Sequence, residues 1–99
     1  MLNASTRDVP AGTMIGIESE GKSVLIANIG GKYYAINNIC THMGCTLSNG
    51  TLKGNQVQCP CHGSTFDVTT GGLVHGPAKK PEPSYKVTVE DENITVDVP

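Results

Sequence analysis

The chain has 99 residues, 37% of them hydrophobic and only 4% aromatic, with no Trp, so it holds one small domain whose core needs a second source of stability. Seven Lys and Arg against nine Asp and Glu give a formal charge of −2, and the longest cationic run is Lys79-Lys80, which excludes the basic face of a nucleic-acid binder. The length also leaves no room for a nucleotide-binding domain beside a substrate domain, or for a separate mononuclear iron domain.

From the N-terminus, residues 1–8 lack the basic start and apolar stretch of a signal peptide, and nowhere do about 18 apolar residues run together. The expectation is a soluble chain without a membrane span, monomeric in isolation and cytoplasmic. The alternative is an extracytoplasmic soluble domain of a truncated, anchored protein. No stretch of three turns carries apolar residues at helical spacing, whereas short Val-, Ile-, Thr- and Tyr-rich runs recur between glycines. The reading is all-β, with strands at 13–18, 23–29, 32–36, 57–58, 65–68, 73–75, 85–90 and 94–98. Turns fall at Gly21, Gly30-Gly31, Gly54-Asn55, Gly71-Gly72 and Asp91-Glu92-Asn93, where a positive φ or a side-chain-capped turn costs little. The last pair of strands alternates cleanly, Tyr85, Val87 and Val89 against Ile94, Val96 and Val98, as a half-buried antiparallel sheet requires.

Two segments break this pattern. Residues 77–83 carry three prolines, which deny them a ladder position. Residues 40–64 have poor strand periodicity yet hold all four cysteines and two of the three histidines, so they read as a loop region built around a bound group. The chemistry lies in Cys40-Thr41-His42-Met43-Gly44-Cys45 and Cys59-Pro60-Cys61-His62-Gly63-Ser64. Cys40-x-His42 and Cys59-x-x-His62 each offer a thiol and an imidazole from one tight loop. Two thiolates and two imidazoles could hold zinc tetrahedrally, or a [2Fe–2S] cluster with two thiolates on one iron and two imidazoles on the other. A plain disulfide staple is the third possibility, but it gives no reason for a His at a matching offset, two or three residues after the first cysteine, in both boxes. His75 stands apart from both boxes and reads as a residue without a role.

The two hexapeptides resemble the two cluster-binding boxes of Rieske iron–sulfur proteins, in the variant that carries an extra disulfide. That resemblance implies an antiparallel β-sandwich with a small cluster-binding subdomain made of two loops. The chain is then a single domain over 1–99, with 38–66 binding the cluster and 1–37 and 67–99 forming the base. It further implies that Cys40 and Cys59 bind the inner iron of one [2Fe–2S] cluster, that His42 and His62 bind the outer iron, and that Cys45 pairs with Cys61. Gly76-Pro77-Ala78 resembles the proline loop that covers the cluster. Met43, Pro60 and Pro77 then belong to the docking surface, with Ile39 and Leu47 completing an apolar collar. From Tyr33 to Phe66 the only charged residue is Lys53, where the 16% average of the chain predicts about five, so this tip is close to neutral.

The implied function is that of a one-electron carrier, a Rieske-type ferredoxin shuttling between a reductase and an oxygenase or other terminal redox enzyme, with no catalytic residues of its own. The alternative is a small electron-transfer subunit, or the detached head, of a larger oxidase, reductase or quinol-oxidising complex. Replacing two thiolates by neutral imidazoles makes the cluster less negative and raises its potential. Two nearby residues tune it. Ser64 resembles the family serine whose hydroxyl donates to a bridging sulfide and so favours the reduced cluster. Phe66 stands where respiratory members carry a Tyr that bonds a ligand sulfur, and Phe has no such donor. The potential is therefore expected between the respiratory class and that of oxygenase ferredoxins. If the missing bond is worth about 1–1.5 kcal/mol, Phe66→Tyr raises the potential by about 45–65 mV, which voltammetry measures directly.

Overall fold

The structure is a computed structural model that describes residues 2–19, 21–39, 45–61, 63–76 and 81–97. Among these, the strands in chain order are β1 (Leu2–Ser5), β2 (Met14–Ser19), β3 (Lys22–Ile29), β4 (Lys32–Asn37), β5 (Thr51–Lys53), β6 (Gln56–Gln58), β7 (Thr65–Asp67), β8 (Leu73–His75), β9 (Ser84–Glu90) and β10 (Asn93–Asp97). All pairings are antiparallel, in a six-stranded sheet ordered β1-β10-β9-β4-β3-β2 and a four-stranded sheet ordered β5-β6-β7-β8. Helical structure in the described residues is confined to two single 3₁₀ turns, Thr6–Asp8 and Leu47–Asn49, and none is long and apolar enough to cross a membrane.

The glycine-marked turns fall where the sequence places them. Gly21, Gly30, Gly31, Gly54 and Gly71 all have positive φ, as does Asp91 in the β9–β10 turn. The strand expectations hold to within two residues at each end, with Val98 outside the described residues. Two strands are additions. β1 pairs with β10 across the length of the chain, Leu2 opposite Val96, and nothing local in its four residues announces that partner. β5 lies inside the segment read as loop; three residues are too few to show a period of two, and only pairing with β6 identifies it.

β3 explains the layering. Its residues Val24, Leu25, Ile26 and Ala27 are all fully buried, as a strand covered on both faces must be. Val24 and Ile26 join Ala35 of β4, Leu2 of β1 and Ile94 and Val96 of β10 in one core, so one face of the six-stranded sheet is buried against itself. Leu25 and Ala27 point the other way and, with Ile36, meet Leu47, Val57, Cys59, Phe66 and Val68 in a second core. That second core joins the large sheet to the small one. Leu47 is thus a fully buried core residue, not part of a surface collar.

The chain leaving the proline-rich segment stitches the same junction. The Glu82 N–H donates to the Gly71 carbonyl at 2.8 Å, and the Asn37 N–H donates to the Pro83 carbonyl at 3.0 Å, before Ser84 pairs with Ile36. Gly71 is buried at φ +81°, and a Cβ there would run into the carbonyl oxygen of Glu82.

Gly12 has the same φ, +81°, but open space around it, so Gly71→Ala and Gly12→Ala carry the same backbone strain and differ in the collision. In urea denaturation Gly12→Ala is expected to cost about 1 kcal/mol and Gly71→Ala about 2 kcal/mol or more. A covalent tie, Cys45–Cys61, spans 16 positions of sequence. In the loop-entropy account its removal in a Cys45→Ser, Cys61→Ser double variant lowers stability by about 3 kcal/mol, read in the same assay.

Candidate metal centre

The second cysteine box grows out of β6. Its first residue, Cys59, is 3% exposed and belongs to the core between the sheets, because the alternation of β6 that buries Val57 also buries Cys59 two positions on. The loop then turns back at once. The Cys59 N–H donates to the Ser64 carbonyl at 2.7 Å and the Gly63 N–H to the Cys59 carbonyl at 3.2 Å, with Gly63 at φ +79°. This closure puts Pro60 and Cys61 outside, both exposed, and returns the chain into β7 through the fully buried Ser64 and Phe66. Phe66 lies in the same core as Cys59, a wholly apolar neighbour with no hydrogen to donate.

The first box is held at its two ends. Ile39 and Thr46 form an isolated antiparallel bridge, so the chain leaves β4 and returns alongside itself. Asn38, only 2% exposed, occupies the root of this stem. Its N–H donates to the Ser23 carbonyl at 3.0 Å, its own carbonyl accepts from Leu47 N–H at 2.7 Å, and its Oδ1 accepts from Ser48 N–H at 2.8 Å. Its Nδ2 donates to Ser23 Oγ at 3.2 Å and to Ser48 Oγ at 3.0 Å. Neighbouring Asn37 accepts from Ile39 N–H at 2.8 Å through Oδ1.

Cys45 and Cys61 are joined as a disulfide, which links the boxes directly. The sulfur of Cys59 lies within 4.8 Å of both sulfurs of that bridge, so three of the four cysteines meet at one point. Beside them is an open depression of about 350 Å³ lined by Asn49, Thr51, Gln58, Cys59 and Pro60, polar but without a charged group. Cys40, His42 and His62, expected as ligands, and Met43 and Pro77, expected at the docking surface, lie outside the described residues, as does Lys79-Lys80. Ile39 is 38% exposed at the stem and Pro60 is exposed in the second loop. His75 ends β8 opposite Thr65 and is exposed.

The donor chemistry fits a [2Fe–2S] group. A thiol is buried at the core edge where water is excluded, beside a bridge that holds the companion box against it, in a region almost free of charge. What the cysteine and histidine spacing does not announce is the support beneath it: Asn38, Ser48 and the room left for them by Gly16 in β2. A Cβ on Gly16 would fall 2.6 Å from Asn38 Nδ2 and on top of Ser48 Oγ. A glycine between Ile15 and Ile17 of β2 is the signal that could have marked this close approach.

Comparison with known proteins agrees. The Rieske [2Fe-2S] domain family matches residues 1–89. The ferredoxin component of the naphthalene 1,2-dioxygenase system of Pseudomonas aeruginosa is 33% identical over 91 residues, covering 92% of this chain and 88% of that protein. The ferredoxin subunit of the 3-phenylpropionate/cinnamic acid dioxygenase of Escherichia coli (strain K12) is 37% identical over 93 residues, covering 93% and 87%. Among solved structures, a chain from the complex of reduced oxygenase and oxidized ferredoxin in carbazole 1,9a-dioxygenase superposes with a TM-score of 0.89 at 31% identity, over 94% of this chain and 96% of that one. With its two cysteine–histidine boxes, its paired antiparallel sheets and this match over nearly its whole length, the chain belongs to the Rieske [2Fe-2S] family.

Proposed function

We propose that this one-electron carrier is the ferredoxin component of an oxygenase system, taking electrons from a reductase and passing them to a terminal oxygenase. The relatives named above support the assignment, being ferredoxin components of dioxygenase systems and similar over most of both lengths. The chain itself is an electron-transfer protein and not a catalyst.

In this reading Cys40 and Cys59 hold one iron as thiolates and His42 and His62 hold the other through one ring nitrogen each. When bound, the [2Fe–2S] cluster accepts and gives up a single electron at the histidine side. The chain's own residues do the rest. Cys59 and Phe66 extend the core up to the site and keep water from its inner side. The Cys45–Cys61 bridge keeps the two boxes together whether or not the site is loaded. Ser64, buried at the base of the second loop, tunes the site through its hydroxyl. Ile39, Met43, Pro60 and Pro77 offer a small apolar contact of the kind that transient redox encounters use.

The observation that carries the ligand assignment is the meeting of the Cys45, Cys59 and Cys61 sulfurs within 4.8 Å, since it sets the two boxes edge to edge. The same reading treats 1–99 as one domain, with 38–66 as its cluster-binding part and 1–37 and 67–99 as its base, although β8 adds a strand to the small sheet from the latter segment. It places the chain in the cytoplasm, as a monomer between encounters. One feature favours the second reading, the head or small subunit of a larger complex: the disulfide, which the resemblance associates with respiratory members.

Two measurements test this. The purified protein is expected to hold about two iron and two acid-labile sulfide per chain and no zinc, with the cluster lost in His42→Ala and in His62→Ala; zinc in their place removes the reading. On size exclusion of the native protein from its source, elution alone is expected, and co-elution with a large subunit would establish the second reading.

A further inference from the structure

Among the described residues Asn38 makes the largest set of bonds at the stem of the first box, and the structure assigns to it the role of a positioning residue for the cluster; this rests on the ligand reading just given. Asn38 is two residues before Cys40, and Ser48 is three after Cys45. The Asn38 carbonyl and Oδ1 accept from two successive N–H groups on the far side of the loop, Leu47 and Ser48, so one residue fixes the distance between the loop's entry and its exit. Its Nδ2 protons and its N–H go to Ser23 and Ser48, which fixes the same stem to β3, the most deeply buried strand. All the hydrogen-bonding groups of Asn38 are used, and the residue is 2% exposed. A buried side chain whose every polar group is satisfied has one arrangement and resists distortion.

Gly16 shows that room has been made for this network. It interrupts the apolar run of β2, at the point where a Cβ would press on Asn38 Nδ2 and Ser48 Oγ. The consequence passes along the chain in both directions. Upstream of the box, Asn38 stands two residues before Cys40 in the sequence. Downstream, Ser48 and Leu47 set Cys45, and the disulfide carries that position to Cys61, beside the Cys59 sulfur. Groups that orient ligands in this way change affinity for the bound metal by about 10–100-fold when removed.

The same structure supplies a control. Asn28 is also buried, at 4%, with Nδ2 donating to the Val9 carbonyl at 2.8 Å and Oδ1 accepting from Gly31 N–H at 2.9 Å, but it serves a turn of the basal sheet. Loaded Asn38→Ala, Ser48→Ala, Gly16→Ala and Asn28→Ala would be compared for melting temperature, rate of iron release to a chelator, reduction potential and the electron paramagnetic resonance of the reduced cluster. All four are expected to melt lower than the parent. Asn38→Ala is expected to release iron about 10-fold faster or more, with shifted or broadened g-values and a displaced potential. Ser48→Ala and Gly16→Ala are expected to move the same readouts in the same direction by less, while Asn28→Ala leaves them at parental values. If Asn38→Ala does not accumulate folded, Ser48→Ala decides. Parental release rate, spectrum and potential in the variants of the stem, with only the melting temperature lowered, would overturn the assignment. Failure of the ligand reading is separately visible, as a parental spectrum in His42→Ala.

Discussion

Much of this structure depends on one act of burial, the packing of Leu25, Ala27 and Ile36 of the large sheet against Leu47, Val57, Cys59, Phe66 and Val68 of the small-sheet side. Neither partner surface is sufficient alone. A four-stranded sheet whose strands are three residues long cannot bury enough area to hold itself together. The large sheet, in turn, would expose the outer face of β3 to water. Because Cys59 is a member of that core, the same packing that makes the small sheet stable also fixes a cluster ligand of the proposed set. Phe66, the largest fully buried side chain among the described residues, belongs to the same core, so the inner side of the site rests on buried apolar packing.

The tip above this core is conspicuous for what its sequence omits. Between Tyr33 and Phe66 only Lys53 is charged, and Lys53 lies in β5, in the small sheet. Long-range steering needs charge, and without it association rates fall towards the values of neutral partners, about 10⁵–10⁶ M⁻¹s⁻¹. In the proposed function, partner exchange rests on short-range apolar contact, for which Ile39 and Pro60 are exposed among the described residues. A stretch of sequence so nearly free of charge also leaves the potential of the proposed site to ligand type and hydrogen bonding.

What could be read from the sequence follows the range of the interactions involved. Glycine turns and the β9–β10 pairing are local patterns, and each was legible because its cause lies within a few residues, although Val89, expected on the half-buried face, is 42% exposed. β1 was not, since its partner β10 is some ninety positions away and four residues carry no period of their own. Leu47 misled for a related reason. Two residues after a cysteine of the first box it looks like a surface collar, yet the 3₁₀ turn Leu47–Asn49 rotates it into the core shared by the sheets. Asn38 was equally silent, because an asparagine's role is set by what surrounds it, and Ser23 and Ser48 come to it from fifteen and ten positions away.

The disulfide bears on how far folding depends on the bound group. In small metal-binding domains the free energy of binding is also free energy of folding, and loss of the metal unfolds the site. Here the two boxes are joined covalently through Cys45 and Cys61, the second box closes on itself through the Cys59–Ser64 backbone bond, and the first is pinned at Asn38. None of these ties runs through iron. The entropy of bringing the loops together is therefore already met in part before loading, and less of the binding energy has to be spent on ordering them. A chain of 99 residues with few aromatics thus gains a site whose described part is tied together without the cluster. Its second source of stability is shared between a covalent bond that is always present and a cluster that need only occupy a place prepared for it.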